Sequence, residues 1–172
     1  MKVIKLVEII AIDELQFQNY IDSWHNQKER ISPSSCETGT ISFQKWKETQ
    51  LILAQEDNHP AGMVRAETLF LIEDNGYIIG AINLRYAMTE DLLKFGGHMS
   101  FGIRPEERKK GYAFIMIKLA LNRLRVNGIT KALVTITRDN KPAQRTIRKI
   151  GGKLENAYES KGNVIDRYWI SL

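Results

Sequence analysis

A single cysteine, Cys36, in 172 residues leaves no intrachain disulfide and no thiolate set for zinc or an iron–sulfur cluster. That scarcity fits a reducing compartment, and a soluble, cytoplasmic protein is expected. Four prolines and twelve glycines are too few for a collagenous or low-complexity chain. No apolar run is long enough to span a bilayer: the opening stretch is broken by Lys5 and Glu8 and lacks the continuous apolar centre of a signal peptide. His25 and His59 have no Asp or Cys at ligand spacing, so no metal is expected. Neither a Gly-x-x-x-x-Gly-Lys-Ser/Thr phosphate loop, nor a Gly-x-Gly-x-x-Gly fingerprint, nor a Gly-x-Ser-x-Gly elbow occurs. Repeats and long linkers are also missing, which leaves one globular domain over residues 1–172.

Charge is present in an uneven form. The whole chain carries +5, but residues 104–153 hold 14 Lys and Arg against three acids, a local +11, and the remainder is therefore −6. Such a half suits an anion, and a nucleic acid, a membrane surface or a polyphosphorylated cofactor each satisfies it.

The periodicity changes along the chain. Val3, Ile4 and Leu6 suggest a strand; Phe17, Ile21 and Trp24, then Phe43, Trp46 and Leu53, recur at helical spacing around a turn-rich loop at 31–39. Thr68–Ile72 and Tyr77–Tyr86 read as a hairpin closed by Asp74-Asn75-Gly76, and His98–Ile103 as a short strand. A helix follows with Ala113, Ile117, Ala120 and Leu124 on one stripe and Asn127-Gly128 as its stop. Lys131–Thr137 is the next strand, and a short helix begins near Pro142 and ends at Gly151-Gly152. Leu154–Ser160 and Val164–Leu172 form a last hairpin. The order is β-α-α-β-β-β-α-β-α-β-β, an α/β class.

The chemistry-bearing stretch runs from Phe101 through Arg104-Pro-Glu-Glu-Arg-Lys-Lys-Gly-Tyr-Ala113, a strand passing through a basic loop into a helix. A helix start offers unpaired N–H groups and a positive dipole end, and Gly111 removes a side chain that would hold a phosphate away from them. Arg108-Lys109-Lys110-Gly111-Tyr112-Ala113 resembles the Gln/Arg-x-x-Gly-x-Gly/Ala signature of the GNAT superfamily of N-acetyltransferases, in the same strand-to-helix setting. Asn140, with Gly151 eleven positions later, resembles a second element of that family, and Gly80–Arg85 with Gly96-Gly-His98 is similar to a bacterial branch of it.

The resemblance implies a mixed, mostly antiparallel sheet, splayed where acetyl-CoA enters, with helices on both faces, and transfer of acetyl to an amine by direct attack. It implies that the backbone of Arg108, Lys109, Lys110, Gly111, Tyr112 and Ala113 holds the pyrophosphate. Phe101, Gly102 and Ile103 would then pair with the pantetheine arm, and Asn140 would touch that arm near the thioester. Where the family often has Ser and Tyr after the Asn, this chain has Ala143 and Ile147, so the usual acid for the leaving thiolate is absent.

An alkylamine with a pKa near ~10.4 is mostly protonated at neutral pH, so a proton acceptor is useful. His98, at the start of the strand expected to flank the thioester, is the candidate base; Glu67 and Glu155 are the carboxylate alternatives, and Tyr86, Tyr112, Tyr158 and Tyr168 the candidate acids. The expected partner is a small-molecule or peptide amine rather than a membrane or nucleic acid, and a homodimer is compatible with this. A binding module of the same fold without turnover, and a nucleic-acid binder stacking bases on Phe101, Tyr112 and Phe114, are the competing readings.

Overall fold

The computed structural model describes residues 3–55, 59 and 62–172; Met1 and Lys2, at the head of the expected domain, lie outside the described residues. The elements follow the expected order: β1 (Ile4–Glu8), α1 (Glu14–Asn26), α2 (Phe43–Leu53), β2 (Ala66–Glu73), β3 (Ile78–Arg85), β4 (Met99–Ile103), α3 (Tyr112–Val126), β5 (Lys131–Thr137), α4 (Lys141–Lys149), β6 (Lys153–Ser160) and β7 (Asn163–Ser171). The strands form two antiparallel sheets, β1-β2-β3-β4 and β5-β7-β6, with helices on both faces. The splay between β4 and β5 is thus wide enough to divide the sheet in two.

Alternation along β2 builds two cores from one strand. Leu69 and Leu71 join Met116, Ile117, Ala120 and Leu124 of α3 on one face. Phe70 and Ile72 join Phe17, Tyr20, Trp24 and Trp46 of α1 and α2 on the other. Phe17 stacks on Trp46 at 4.1 Å between ring centroids, and Phe70 meets both edge-on. The shift of register between Leu71 and Ile72 leaves Ile79 as the extra residue of a bulge, so Ile79 and Ala81, two positions apart, serve opposite cores. Asp13 and Ser42 cap α1 and α2 by accepting from the Gln16 and Lys45 amides, which explains where these helices start.

Between β3 and β4 lies a π-helical turn, Leu92–Gly96. The Thr89 hydroxyl accepts from the Leu92 amide, and the Gly97 amide returns to the Leu92 carbonyl at 2.6 Å, closing the wide turn. Much of the basic half is answered internally: Arg108 pairs with Glu29, Arg123 with Glu8 and Glu67, and Arg138 with Asp166. Part of the +11 is therefore the complement of the acidic remainder, not a vacancy for a ligand.

Among the described residues no helix is long and apolar enough to cross a membrane, and no group of three or more His, Cys, Asp or Glu is placed to hold a metal ion.

Candidate active site

The two sheets touch at one point and then part. The His98 amide donates to the Leu133 carbonyl at 2.8 Å, and the Leu133 amide donates to His98 Nδ1 at 2.9 Å. A side-chain nitrogen stands there in place of a backbone carbonyl, so the ladder stops after one exchange. Gly97 makes the approach feasible, because a Cβ on it would lie 2.6 Å from the Leu133 carbonyl oxygen.

Beyond this contact β4 keeps an open edge. Arg85 N–H donates to the His98 carbonyl and Arg104 N–H to the Ile79 carbonyl. Alternate residues of an antiparallel strand point their backbone groups to the same side. By that alternation Ser100 and Gly102 face β3, whereas Met99, Phe101 and Ile103 turn their amides and carbonyls toward β5. Two side chains attend the edge: Ser32 Oγ donates to the Phe101 carbonyl (2.9 Å) and Arg108 Nε to the Ile103 carbonyl (3.1 Å). The gap is a cleft of about 350 Å³ lined by Ser32, Ser34, Arg85, Ser100, Phe101, Thr135, Thr137, Asn140 and others. A groove of about 490 Å³ between β1 and α3, lined by Leu6, Leu119 and Val126, contains none of the motif residues.

Gly102 departs from its expected place on the pantetheine edge. Its backbone faces β3, and it is glycine for packing: a Cβ there would stand 2.2 Å from the Ser32 carbonyl oxygen and 2.8 Å from the Trp24 ring.

At the head of α3, Gly111 caps the helix with φ +86° and Lys109 has φ +62°, both left-handed. The Arg108 amide bonds the Pro105 carbonyl, and the Phe114 and Ile115 amides bond that of Gly111. Between them the N–H groups of Lys109, Lys110, Gly111, Tyr112 and Ala113 meet no acceptor among the described residues. Nothing stands within 4 Å of where a Gly111 Cβ would be, so the glycine serves the turn's conformation and leaves open space before it. The Arg108 side chain is committed elsewhere. Its guanidinium forms a two-pronged pair with Glu29 (2.9 and 2.6 Å), which holds the Glu29 carboxyl below its ordinary value, and lies over the Trp24 ring. Lys110 pairs with Glu107. Lys118 and Lys149 sit over Phe114, so a positive surface continues onto α4.

Asn140 is the N-cap of α4, its Oδ1 accepting from the Ala143 amide at 3.3 Å, while its side chain lines the cleft and keeps its Nδ2 donors. Ile147, where the resembled family often carries Tyr, is fully buried in the α3 core against Gly152.

Five of the seven proposed proton carriers are tied up, while Tyr112 starts α3 and Tyr158 packs its ring on Phe95 beneath Arg167. His98 is 6% exposed, and its Nδ1 lone pair accepts from the Leu133 amide, so the imidazole staples the two sheets together; burial, then the Arg85 charge, lowers its pKa. Glu67 is held by Arg123 and accepts a short hydrogen bond from the Tyr86 hydroxyl. Burial, then the Glu67 bond, raises Tyr86 well above the ordinary phenol range. Glu155 takes Arg167 and the Trp169 N–H, and the Tyr168 hydroxyl accepts from Arg148. Neither carboxylate is among the described residues lining the cleft.

The family model for the Acetyltransferase (GNAT) family matches residues 10–152, a span that includes the open edge of β4 and the start of α3. The chain belongs to the GNAT acetyltransferase family. No curated relative matches it in sequence. Among solved structures, this GNAT chain is similar to an acetyltransferase from Salmonella typhimurium that modifies the N-terminal serine of ribosomal protein L7/L12 (TM-score 0.68, 12% identity, covering 98% of this chain and 95% of that one). It is also similar to the spermidine N-acetyltransferase of Vibrio cholerae (0.64, 17%, 98% and 93%) and to a Salmonella typhimurium protein solved with its cofactor acetyl-CoA (0.62, 12%, 98% and 93%). At these identities the likeness is one of fold.

Proposed function

We propose that this GNAT protein transfers an acetyl group from acetyl-CoA to an amine that reaches the cleft already neutral. The observation that carries the reading is the run of five unpartnered amides, Lys109 to Ala113, at the start of α3, beside the open edge of β4. Amides and helix dipole together suit a pyrophosphate. The free N–H groups of Phe101 and Ile103 suit an extended, amide-bearing arm lying as an added strand, and the Asn140 Nδ2 adds a donor deeper in the cleft. Acetyl-CoA bound there supplies an activated thioester carbonyl, and its thiolate is the leaving group.

Arg85 is the one side chain lining the cleft, among the described residues, that carries a formal charge, and no lining carboxylate or histidine is available to take a proton. The amine's own equilibrium then supplies the nucleophile. At pH 7 an α-amino group with pKa ~7.7–8.0 is neutral roughly 200- to 400-fold more often than an alkylamine at ~10.4.

Calorimetry with acetyl-CoA, followed by a thiol-release screen of amines, tests this. Binding that weakens with salt, together with acceptor-dependent thiol release, is expected. Binding without release from any amine would assign a non-catalytic acyl-CoA module; tight, salt-resistant oligonucleotide binding in place of acetyl-CoA would overturn the reading altogether.

A further inference from the structure

We propose that Arg85 recognises an anionic group on the acceptor, so that the acceptor is a small amine bearing a carboxylate or an equivalent oxyanion, of the α-amino acid type. The inference rests on the acetyl-transfer reading of the same cleft and goes beyond it by naming the substrate class.

Arg104, Arg108, Arg123, Arg138 and Arg167 each meet a carboxylate within 3.5 Å. Arg85 meets none among the described residues; Arg125, Arg145 and Arg148 also meet none, but they are exposed, whereas Arg85 is half-buried. Its Nη1 donates to the carbonyls of Gly96 (3.2 Å) and Gly97 (3.1 Å), and its Nη2 to Ser100 Oγ (3.1 Å), all neutral acceptors. A guanidinium has five N–H donors, so Nε–H and one Nη2–H are left over. Carbonyl dipoles hold the group in place without cancelling its charge, and taking such a charge partly out of water is costly unless a counter-charge arrives. Burial accordingly lowers Arg85 below its ordinary pKa.

The placement is as telling as the missing partner. Arg85 lines the same cleft as Ser100, Phe101 and Asn140, where the thioester and the attacking amine must meet. A polycationic amine entering there would meet a guanidinium and no carboxylate among the described lining residues. An amino acid would gain an ion pair. The pair also serves the reaction: a carboxylate close to an ammonium raises its pKa, and neutralising that carboxylate against Arg85 removes the effect, while the guanidinium charge itself disfavours the ammonium. One residue thereby selects the acceptor and helps deliver it neutral, in a cleft without a base. Arg85 is in this sense a specificity-determining residue.

The test compares α-amino acids with the matching amino acid amides and with spermidine, at saturating acetyl-CoA, and measures binding of the same compounds to the CoA complex by calorimetry. The wild type should favour the acids over their amides by about 10-fold or more in kcat/KM and in affinity. Arg85→Met should bring the acid-to-amide ratio to near one, and Arg85→Lys, which keeps the charge but not the fork, should leave part of it. Urea unfolding of both variants identifies a folding defect; if Arg85→Met does not fold, the ratio in Arg85→Lys decides. Preference for amides or spermidine in the wild type, or variants that lose acids and amides in parallel, would overturn the proposal. Acetyl-CoA binding with release from amides alone would sink this inference and leave acetyl transfer standing. Anion-dependent binding without release from any amine would do the reverse.

Discussion

Replacing His98 separates a structural staple from a proton carrier, because asparagine and alanine treat the Leu133 amide differently. In His98→Asn the new amide Oδ1 would sit the same number of bonds from the backbone as the imidazole Nδ1 and so can accept from Leu133 N–H; alanine leaves that buried donor unpaired. An unsatisfied buried donor costs about 1–3 kcal/mol, and losing the ring adds a packing penalty, so His98→Ala should cost about 2–4 kcal/mol. At about 2–4 °C per kcal/mol for a chain of this size, its melting temperature falls by roughly 5–15 °C. His98→Asn should recover at least half of that in urea unfolding. The pH dependence carries the same logic. The folded pKa of His98 lies below the unfolded value of about 6.5, so from about pH 6.5 downward the unfolded chain binds more protons and stability declines as pH falls. The slope reaches at most about 1.4 kcal/mol per pH unit and should vanish in His98→Asn. Glu29, also held low, contributes its loss only below its ordinary 4.5, outside that window. If His98→Asn keeps stability but loses about 100-fold in kcat, a purely structural role is refuted and His98 is the base as well as the staple.

Three further outcomes are expected. Gly111→Ala should cost about 1–2 kcal/mol in urea unfolding from the left-handed backbone alone, since its Cβ has open space, and should weaken acetyl-CoA binding in calorimetry; unchanged affinity would remove this loop from the site. Gly102→Ala forces a Cβ against the Ser32 carbonyl and Trp24 ring, and should destabilise by about 1–3 kcal/mol; a neutral effect would mean that the 31–39 loop moves away at no cost. The rising limb of the pH–rate profile should follow the acceptor's amine pKa when acceptors are exchanged, whereas a limb that stays fixed would reveal an enzyme base.

The parts of the fold that were legible in the sequence are those set by local pattern. The order of all eleven helices and strands follows from hydrophobic period and from turns such as Asp74-Asn75-Gly76 and Lys161-Gly162. The α3 head was visible because Gly111 and its basic neighbours are contiguous. What escaped depends on residues far apart in the chain. The stapling role of His98 depends on Leu133, 35 positions later, which donates to its ring. Gly102 looks like an edge residue until Ser32 and Trp24, some 70 positions earlier, occupy the space of its Cβ. Arg85 ends an alternating strand, where a polar residue reads as solvent-facing; only its half-buried place in the cleft with no carboxylate beside it among the described residues, a three-dimensional fact, marks it out. The acidic partners that absorb Arg108 and Arg123 lie in the other half of the sequence and made the local +11 look more available than it is.

The cleft itself follows from one interrupted ladder. A strand edge with free amides is a liability, since it invites pairing with another chain. Had position 98 offered only its backbone to Leu133, β4 and β5 could have zipped further and removed that edge. Instead the imidazole takes the Leu133 donor, Thr135 Oγ1 turns to the Phe95 carbonyl, and Ser32 and Arg108 occupy the Phe101 and Ile103 carbonyls. Carbonyls are thereby satisfied while the matching amides stay free. An edge prepared in this asymmetric way accepts an extended arm that brings its own carbonyls, and the same Arg108 that braces the edge ties it, through Glu29, to the end of α1. The staple, the open edge and the helix-start amides therefore follow one another along a single cleft, which Arg85 also lines.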